Sequence, residues 1–391
     1  MRIAFRVACC VLVLAIGLMI VSNRAAQTVA PTAQDVVASK IAPWLRNHLA
    51  RGTKSEYLVV LNDQADLRGA DALPTKAEKG RFVYDALYNK AQLSQAPIIQ
   101  SLKEQGVEYQ SFYIVNMILV KGDLTLAESL ASRSDTARIE GNPTIHNKLP
   151  ESEKFNFDTV RPESPAAIEP GITHTRAPEV WASGFTGQGI VVGAEDTGYL
   201  WNHTVLINHY RGWNGAVADH NFNWHDSVHS GGGSCGANAV APCDDNGHGT
   251  HTAGTAVGSD GGTNQVGMAP GAKWIGCRNM NVGAGTPATY LECFEFFLAP
   301  YPVGGTTAQG DPSKSPDVTT NSWSCPASEG CSVSTLQAGV QAQRAAGIML
   351  IAAAENSGPS CSTVTDPPGL YDEVYSVGAL TTGTDTIASF S

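Results

Sequence analysis

The chain has 391 residues, 42% hydrophobic and 16% charged, a balance that excludes a disordered or coiled-coil protein and gives length for about two to three domains of roughly 100–200 residues. A net charge of −11 argues against nucleic acid as a partner. Forty glycines and 21 prolines without a collagen-like period predict a loop-rich globular protein.

Residues 1–26 read as a secretory signal. Met1 to Arg6 carries two arginines and no acid, and Val7 to Val21 is an apolar run. That run is short for a bilayer span of roughly 20 residues and the right size for a signal's apolar core. Thr28-Val29-Ala30 is the best cleavage spelling, and an uncleaved signal anchor is the alternative reading. Either way the chain is expected to be exported. Residues 27–53 are expected to form a poorly ordered lead-in.

Residues 54–150 read as a β-α-β-α-β unit. Glu56–Leu61 predicts a strand and Gly80–Gln105 a long helix, with Val83, Leu87, Ala91, Leu93 and Ile98 inward and Pro97 expected to kink or split it. Tyr109–Leu119 predicts one strand, Leu124–Arg133 a helix and Ala137–Glu140 a closing strand. The proline-rich stretch 151–171 predicts a linker in which the two units part on processing. From 172 onward, strands at Gly187–Glu195, Lys273–Met280, Val318–Ser322, Ile348–Ala354 and Val374–Leu380 alternate with helices at Ala288–Phe297 and Leu336–Ala346. Such alternation predicts an α/β domain with a parallel sheet.

Of nine cysteines, Cys9 and Cys10 lie in the signal. Cys235/Cys243 and Cys325/Cys331 are close enough to close small loops, Cys277/Cys293 would join a strand to the next helix, and Cys361 is left over. No Cys-x-x-Cys pair is present, so no structural zinc site is expected.

Two segments carry chemistry. Asp196-Thr197-Gly198 ends an apolar strand. An aspartic protease would need a second such triplet, which the chain lacks, whereas one acid at the carboxyl edge of a parallel sheet can orient a histidine. Alone, the triplet is as readily a turn cap. The run Asp244–Gly258 reads DDNGHGTHTAGTAVG: a turn, then a helix of small residues with His248 on its first turn. No glutamate lies between His248 and His251 as a zinc motif requires. His248 is expected to do acid–base work and His251 to be a packed, hydrogen-bonded partner.

Here the sequence resembles the subtilisin-like serine proteases, over about residues 172–391. Asp196-Thr197-Gly198 matches the family's acid motif and His248-Gly249-Thr250-His251-Thr252-Ala253-Gly254 its histidine motif. Ala353-Ala354-Glu355-Asn356-Ser357-Gly358-Pro359 matches the oxyanion-asparagine motif, Asn321-Ser322-Trp323-Ser324 the substrate-binding strand, and Gly267-Met268-Ala269-Pro270-Gly271 a family turn. Trp201-Asn202-His203, with Cys325-Pro326 and Gly330-Cys331, looks most like the bacillopeptidase F-type branch. Residues 54–150 resemble the inhibitor propeptides of these enzymes. The resemblance implies a three-layer parallel-sheet domain behind a small α+β propeptide. It also implies a secreted endopeptidase precursor with protein or peptide substrates, inhibited and helped to fold by its own propeptide. Asp196 would orient His248, His248 would take a serine's proton, and Asn356 would donate to the oxyanion. Ser322, Trp323, Ser324 and Glu355 would bind substrate. Family members often bind calcium, but the sequence assigns no ligands and implies no required cofactor.

Two departures stand out. Glu355 replaces the glycine that usually precedes the oxyanion asparagine; a carboxylate there would narrow the pocket and either favour Lys or Arg before the scissile bond or simply distort the site. The family's Gly-Thr-Ser-Met-Ala segment, which carries the nucleophile, is absent from these 391 residues. Gly232-Gly233-Ser234-Cys235-Gly236 spells G-x-S-x-G but lacks the strand and helix that a nucleophile elbow needs. Ser357 and Ser360 lie on the wrong side to attack. The expectation is therefore a complete prosegment with a catalytic domain lacking its serine, inactive as it stands; the alternative is a non-catalytic, peptide-binding pseudoprotease.

Overall fold

The computed structural model describes residues 32–147, 168–262, 265–381 and 383–391. The signal run and most of the linker fall outside these.

The lead-in is ordered from residue 32. Helix α1 (Ala33–Ser39) starts in a capping box between Thr32 and Asp35, and α2 (Pro43–Leu49) has proline at its first position. Both are single turns or little more, too short for an apolar period to show in sequence. Helix α2 is held by Leu45 and Leu49, buried under the first sheet with Ile41 just ahead of it, whereas α1 has no buried residue and only its half-buried Val37 packs against the same cluster. That sheet has the order β2-β3-β1-β4, all antiparallel, from β1 (Ser55–Leu61), β2 (Tyr109–Phe112), β3 (Met117–Gly122) and β4 (Thr136–Gly141). Strand alternation divides β1: Tyr57, Val59 and Leu61 face the unit's own helices, while Leu58 and Val60 face a second apolar cluster.

Helix α3 runs unbroken over Lys76–Glu104, with Pro97 inside it. The expected split does not occur because Pro97 and Leu93 both lie on the exposed face. The Leu93 carbonyl, which loses its i+4 donor, can be hydrated there. Leu93 is correspondingly exposed and not inward as expected. The single strand expected over 109–119 is instead the β2–β3 hairpin, turning at Tyr113–Asn116, and α4 (Leu124–Ser132) leads to β4.

After the linker come α5 (Pro170–His174) and α6 (Ala177–Ala182), then a six-stranded parallel sheet ordered β13-β12-β11-β6-β8-β7. Its strands are β6 (Val191–Asp196), β7 (Trp224–Asp226), β8 (Lys273–Arg278), β11 (Val318–Asn321), β12 (Met349–Ala353) and β13 (Tyr375–Val377). The short β5 (Ile145–His146), β9 (Met280–Asn281) and β10 (Ala284–Gly285) form a separate three-stranded sheet. On one face of the large sheet lies α7 (His248–Val257), packed on Val192 and Ala194; on the other lie α8 (Pro287–Leu298) and α9 (Gln337–Ala345). The architecture is the expected three-layer α/β domain. All three expected disulfides form, Cys277–Cys293 pinning β8 to α8, and Cys361 is free and exposed.

The amino-terminal unit docks on α8 and α9. Its Leu58, Phe112 and Ile114 share one apolar cluster with Tyr290, Leu291, Phe294 and Leu298 of α8. The hairpin turn is captured by a buried acid: Glu295 accepts the backbone N–H of Tyr113 and of Ile114, the latter at 3.0 Å. This tertiary contact explains why the turn at 113–116 was not visible in an apolar stretch. Glu140 likewise accepts the hydroxyls of Ser334 and Thr335 across the interface. Because Pro in a helix interior costs up to about 3 kcal/mol relative to Ala, Pro97→Ala should stabilise the protein by roughly 1–3 kcal/mol in denaturant titration. An unchanged or lower midpoint would show that the local helix is strained around the proline for another reason.

Candidate active site

Strand β6 ends at the carboxyl edge of the sheet, delivering Asp196 almost fully buried (1% exposed). Its Oδ1 lies 2.6 Å from His248 Nδ1, with the imidazole 14% exposed. The same carboxylate accepts the Thr197 N–H at 2.7 Å and the Thr252 hydroxyl at 3.1 Å. Three donors fix its orientation, so the imidazole is held as one tautomer with Nε2 turned outward. Burial pulls the His248 pKa down, but the Asp196 hydrogen bond and the charges of Asp196, Asp244 and Glu355 together outweigh it and leave it raised.

The small residues around His248 are a packing requirement. A Cβ on Gly249 would sit 2.2 Å from the Gly198 carbonyl oxygen, so only glycine lets the helix approach the Asp196 turn. His251 does not pack as expected: it is exposed and lines a surface cavity with His203, Thr255 and Met268. Thr252, one residue on, takes the inward role.

The other motif residues gather at the same edge. Asn356 is exposed on the loop after β12, next to Glu355. Glu355 adopts φ 69°, a left-handed conformation that costs a non-glycine residue roughly 1–3 kcal/mol. The glycine usual at this place therefore answers a backbone demand as well as a pocket. Burial raises the Glu355 pKa, aided by the charge of Asp366 and opposed by a hydrogen bond from Ser324 and by the charge of His248. Ser322 and Ser324 are half-buried, but the Trp323 ring is in the core, stacked on Tyr290 with centroids 3.9 Å apart. It forms a floor; its side chain is not a surface for substrate. Ser234 is exposed on a one-turn helix immediately ahead of the Cys235–Cys243 loop, away from any strand–helix elbow.

Part of the amino-terminal unit enters this edge. β5 pairs antiparallel with β10, and Asn147 donates its backbone N–H to the Gly283 carbonyl at 2.9 Å and its side-chain amide to the Ser322 carbonyl at 3.3 Å. Ile145 is buried in the cluster that holds Trp323 and Tyr290. This occupied edge was not read from the sequence, because a two-residue strand carries no periodicity.

Two further groups went unread. Arg278, fully buried, pairs with Asp226 at 2.9 Å and Asp245 at 3.2 Å and accepts no exposure at all. Glu195 points to the opposite face of β6 from Asp196, bonded by Asn279 at 2.8 Å, with its second oxygen buried and unpartnered among the described residues. Burial pushes its pKa well up, opposed by the Asn279 hydrogen bond and aided by the charge of Asp196. Among the described residues no group of three or more His, Cys, Asp or Glu is placed to hold a metal ion. No described helix is long and apolar enough to cross a membrane.

For an acid with a raised folded pKa, stability is full below the unfolded value of 4.5 and declines as pH rises toward the folded value. Glu195→Gln keeps the acceptor for Asn279 and removes the titration. It should stabilise the protein more at pH 8 than at pH 4, read from melting midpoints; an equal effect at both would show that Glu195 does not titrate on unfolding.

Comparison with known proteins assigns the carboxyl-terminal domain to a family. Residues 187–391 match the subtilase family, Peptidase_S8. The chain is similar to bacillopeptidase F of Bacillus subtilis (strain 168), 31% identical over 311 residues that make up 73% of this chain and 21% of that protein. It is 27% identical to serine protease AprX of the same organism, over 74% of this chain and 62% of that protein. The chain thus spans about a fifth of the first relative and less than two thirds of the second. Subtilisin DY of Bacillus licheniformis is 31% identical over 56% of this chain and 67% of that one. In fold, the epidermin leader peptide processing serine protease of Staphylococcus aureus superposes with a TM-score of 0.55 at 13% identity, covering 87% of this chain and 72% of that chain.

Proposed function

The chain belongs to the subtilase family, and on that premise we propose that its carboxyl-terminal domain is the scaffold of an exported serine endopeptidase, with residues 32–147 as its intramolecular inhibitor. The 2.6 Å pairing of Asp196 with His248 carries this reading. With Nδ1 bonded to Asp196, His248 Nε2 is the nitrogen free to take a serine's proton and return it to the leaving amine. Asp196 favours the imidazolium formed in between. Asn356 donates to the oxyanion that develops on the attacked carbonyl. The nucleophile belongs to a Gly-Thr-Ser segment, which these 391 residues do not contain. Export is supported by the Val7–Val21 run and by three disulfides.

The tail 145–147 supports the inhibitor role. It lies as an added antiparallel strand on β10, the way an extended substrate joins an open edge. Its direction runs from Ile145 toward Ser322, two residues ahead of the serine that bonds Glu355. On this reading the bond parted on maturation lies after Asn147, toward the 151–171 stretch. Glu355, partly desolvated beside this edge, favours Lys or Arg before the scissile bond through a charge-assisted contact.

The 391-residue protein is expected to hydrolyse casein no faster than its His248→Ala variant, because oxyanion stabilisation and binding alone leave roughly 10³–10⁴ over water. Activity abolished by His248→Ala would mean that a serine within this chain attacks. In a product carrying the Gly-Thr-Ser segment, a preference for Lys or Arg should be present and should vanish in Glu355→Gly. An unchanged cleavage profile would show that this carboxylate does not read the substrate. Amino-terminal sequencing of that matured product should place its start between residues 148 and 171; a start before residue 130 would refute the inhibitor assignment.

A further inference from the structure

Helix α7 begins without a capping side chain, since its N-cap is Gly247 at φ 96°. The donors left over at a helix start need partners, and here they converge on Asp244. Oδ1 accepts the backbone N–H of Asn246 at 3.1 Å and of Gly247 at 2.8 Å, together with the Thr197 hydroxyl at 2.9 Å. Oδ2 accepts the backbone N–H of Thr250 at 3.0 Å and the Thr250 hydroxyl. Both threonines extend the network. Thr197 Oγ1 accepts the Gly249 N–H at 3.0 Å, and Thr250 Oγ1 accepts the Leu200 N–H at 2.9 Å.

Turn capping alone would account for the bonds to Asn246 and Gly247. It does not account for Thr197 and Thr250, which belong to two different segments: the turn that follows Asp196 and the helix that carries His248. One carboxylate joins them. Its own backbone is anchored by a bridge to Gly198 and by the neighbouring Cys235–Cys243 disulfide. The adjacent acid has a separate task, since Asp245 pairs with Arg278 and accepts the Val282 N–H at 2.9 Å.

We propose that Asp244 is a positioning residue for the Asp196–His248 pair: it sets the approach of the imidazole to Asp196 and supplies a second negative charge that favours the imidazolium. The proposal rests on the acid–base reading of that pair. The charged groups acting on the imidazole are Asp196 from β6, Asp244 from the loop ahead of α7, and Glu355 from the loop after β12. Arg278, in ladder register with Asp196, is neutralised by Asp226 and Asp245. Burial pulls against ionisation of Asp244, but the donors from Thr250, Gly247 and Asn246 prevail and hold its carboxyl below the usual aspartate value, so the charge is present at neutral pH.

Histidine-labelled 391-residue protein, titrated by NMR, tests this. A strongly deshielded Nδ1 proton reports the Asp196 bond, and the ring-carbon shift reports the protonation of His248. Asp244→Asn keeps the side chain's size and removes its charge, and should lower the His248 midpoint by roughly half a unit or more. Asp244→Glu should recover most of that shift. Thr250→Val, which removes a hydroxyl bond but no charge, should lower the melting temperature and leave the midpoint in place. An unmoved midpoint in cooperatively melting Asp244→Asn protein overturns the proposal. Should that variant not melt cooperatively, the wild-type Asp244 carboxyl carbon decides: a midpoint below the ordinary aspartate range supports the proposal, and one at or above it overturns it. Absence of the deshielded proton in the wild type would instead sink the acid–base reading of the pair.

Discussion

Strand β6 is buried on both faces, and its alternation is the constraint on which the site depends. Asp196 is turned toward α7, where His248 and Thr252 meet it, and Glu195 toward α8, where Asn279 meets it. Two adjacent acids thus receive opposite treatment from one backbone. The first is surrounded by donors, and the second has one donor and an apolar layer. A slip of one residue in this strand would exchange them and leave His248 without a partner.

Holding Asp196 is only half of the geometry, because the helix that brings His248 must come close. The glycine at 249 lets it reach the Gly198 carbonyl, and the Asp244 network fixes where it starts. Beneath, the buried Arg278 secures the 226–245 loop from which Asp244 extends, donating to two acids at once. Removing one partner of such a buried ion set costs several kcal/mol because a charge is left unpaired. The arrangement therefore locks the loop more than it adds net stability.

The amino-terminal unit uses two surfaces of the same domain. Its sheet and hairpin cover α8 and α9 through a shared apolar cluster, with Glu295 and Glu140 satisfying the polar groups that docking buries. Its tail reaches the site edge as a short strand on β10. Trp323 links the two, since its ring lies in the core stacked on α8 while its neighbours Ser322 and Ser324 face the edge.

The sequence by itself determined whatever depends on residues close together in the chain. The Asp196 and His248 motifs, the alternation of strands and helices and the three disulfide loops were legible, because local spacing and side-chain chemistry specify them. What only the tertiary structure decided depends on partners far apart in sequence. The order of α2 comes from burial under a sheet formed later in the chain, and the turn at Tyr113 comes from Glu295. An unbroken α3 follows from the solvent exposure of Pro97, and the outward turn of His251 from which face of α7 meets the sheet. Asp244 belongs with these, for its neighbours in sequence suggest a turn cap, and only the approach of Thr197 from the β6 edge makes it the joint between the two members of the pair.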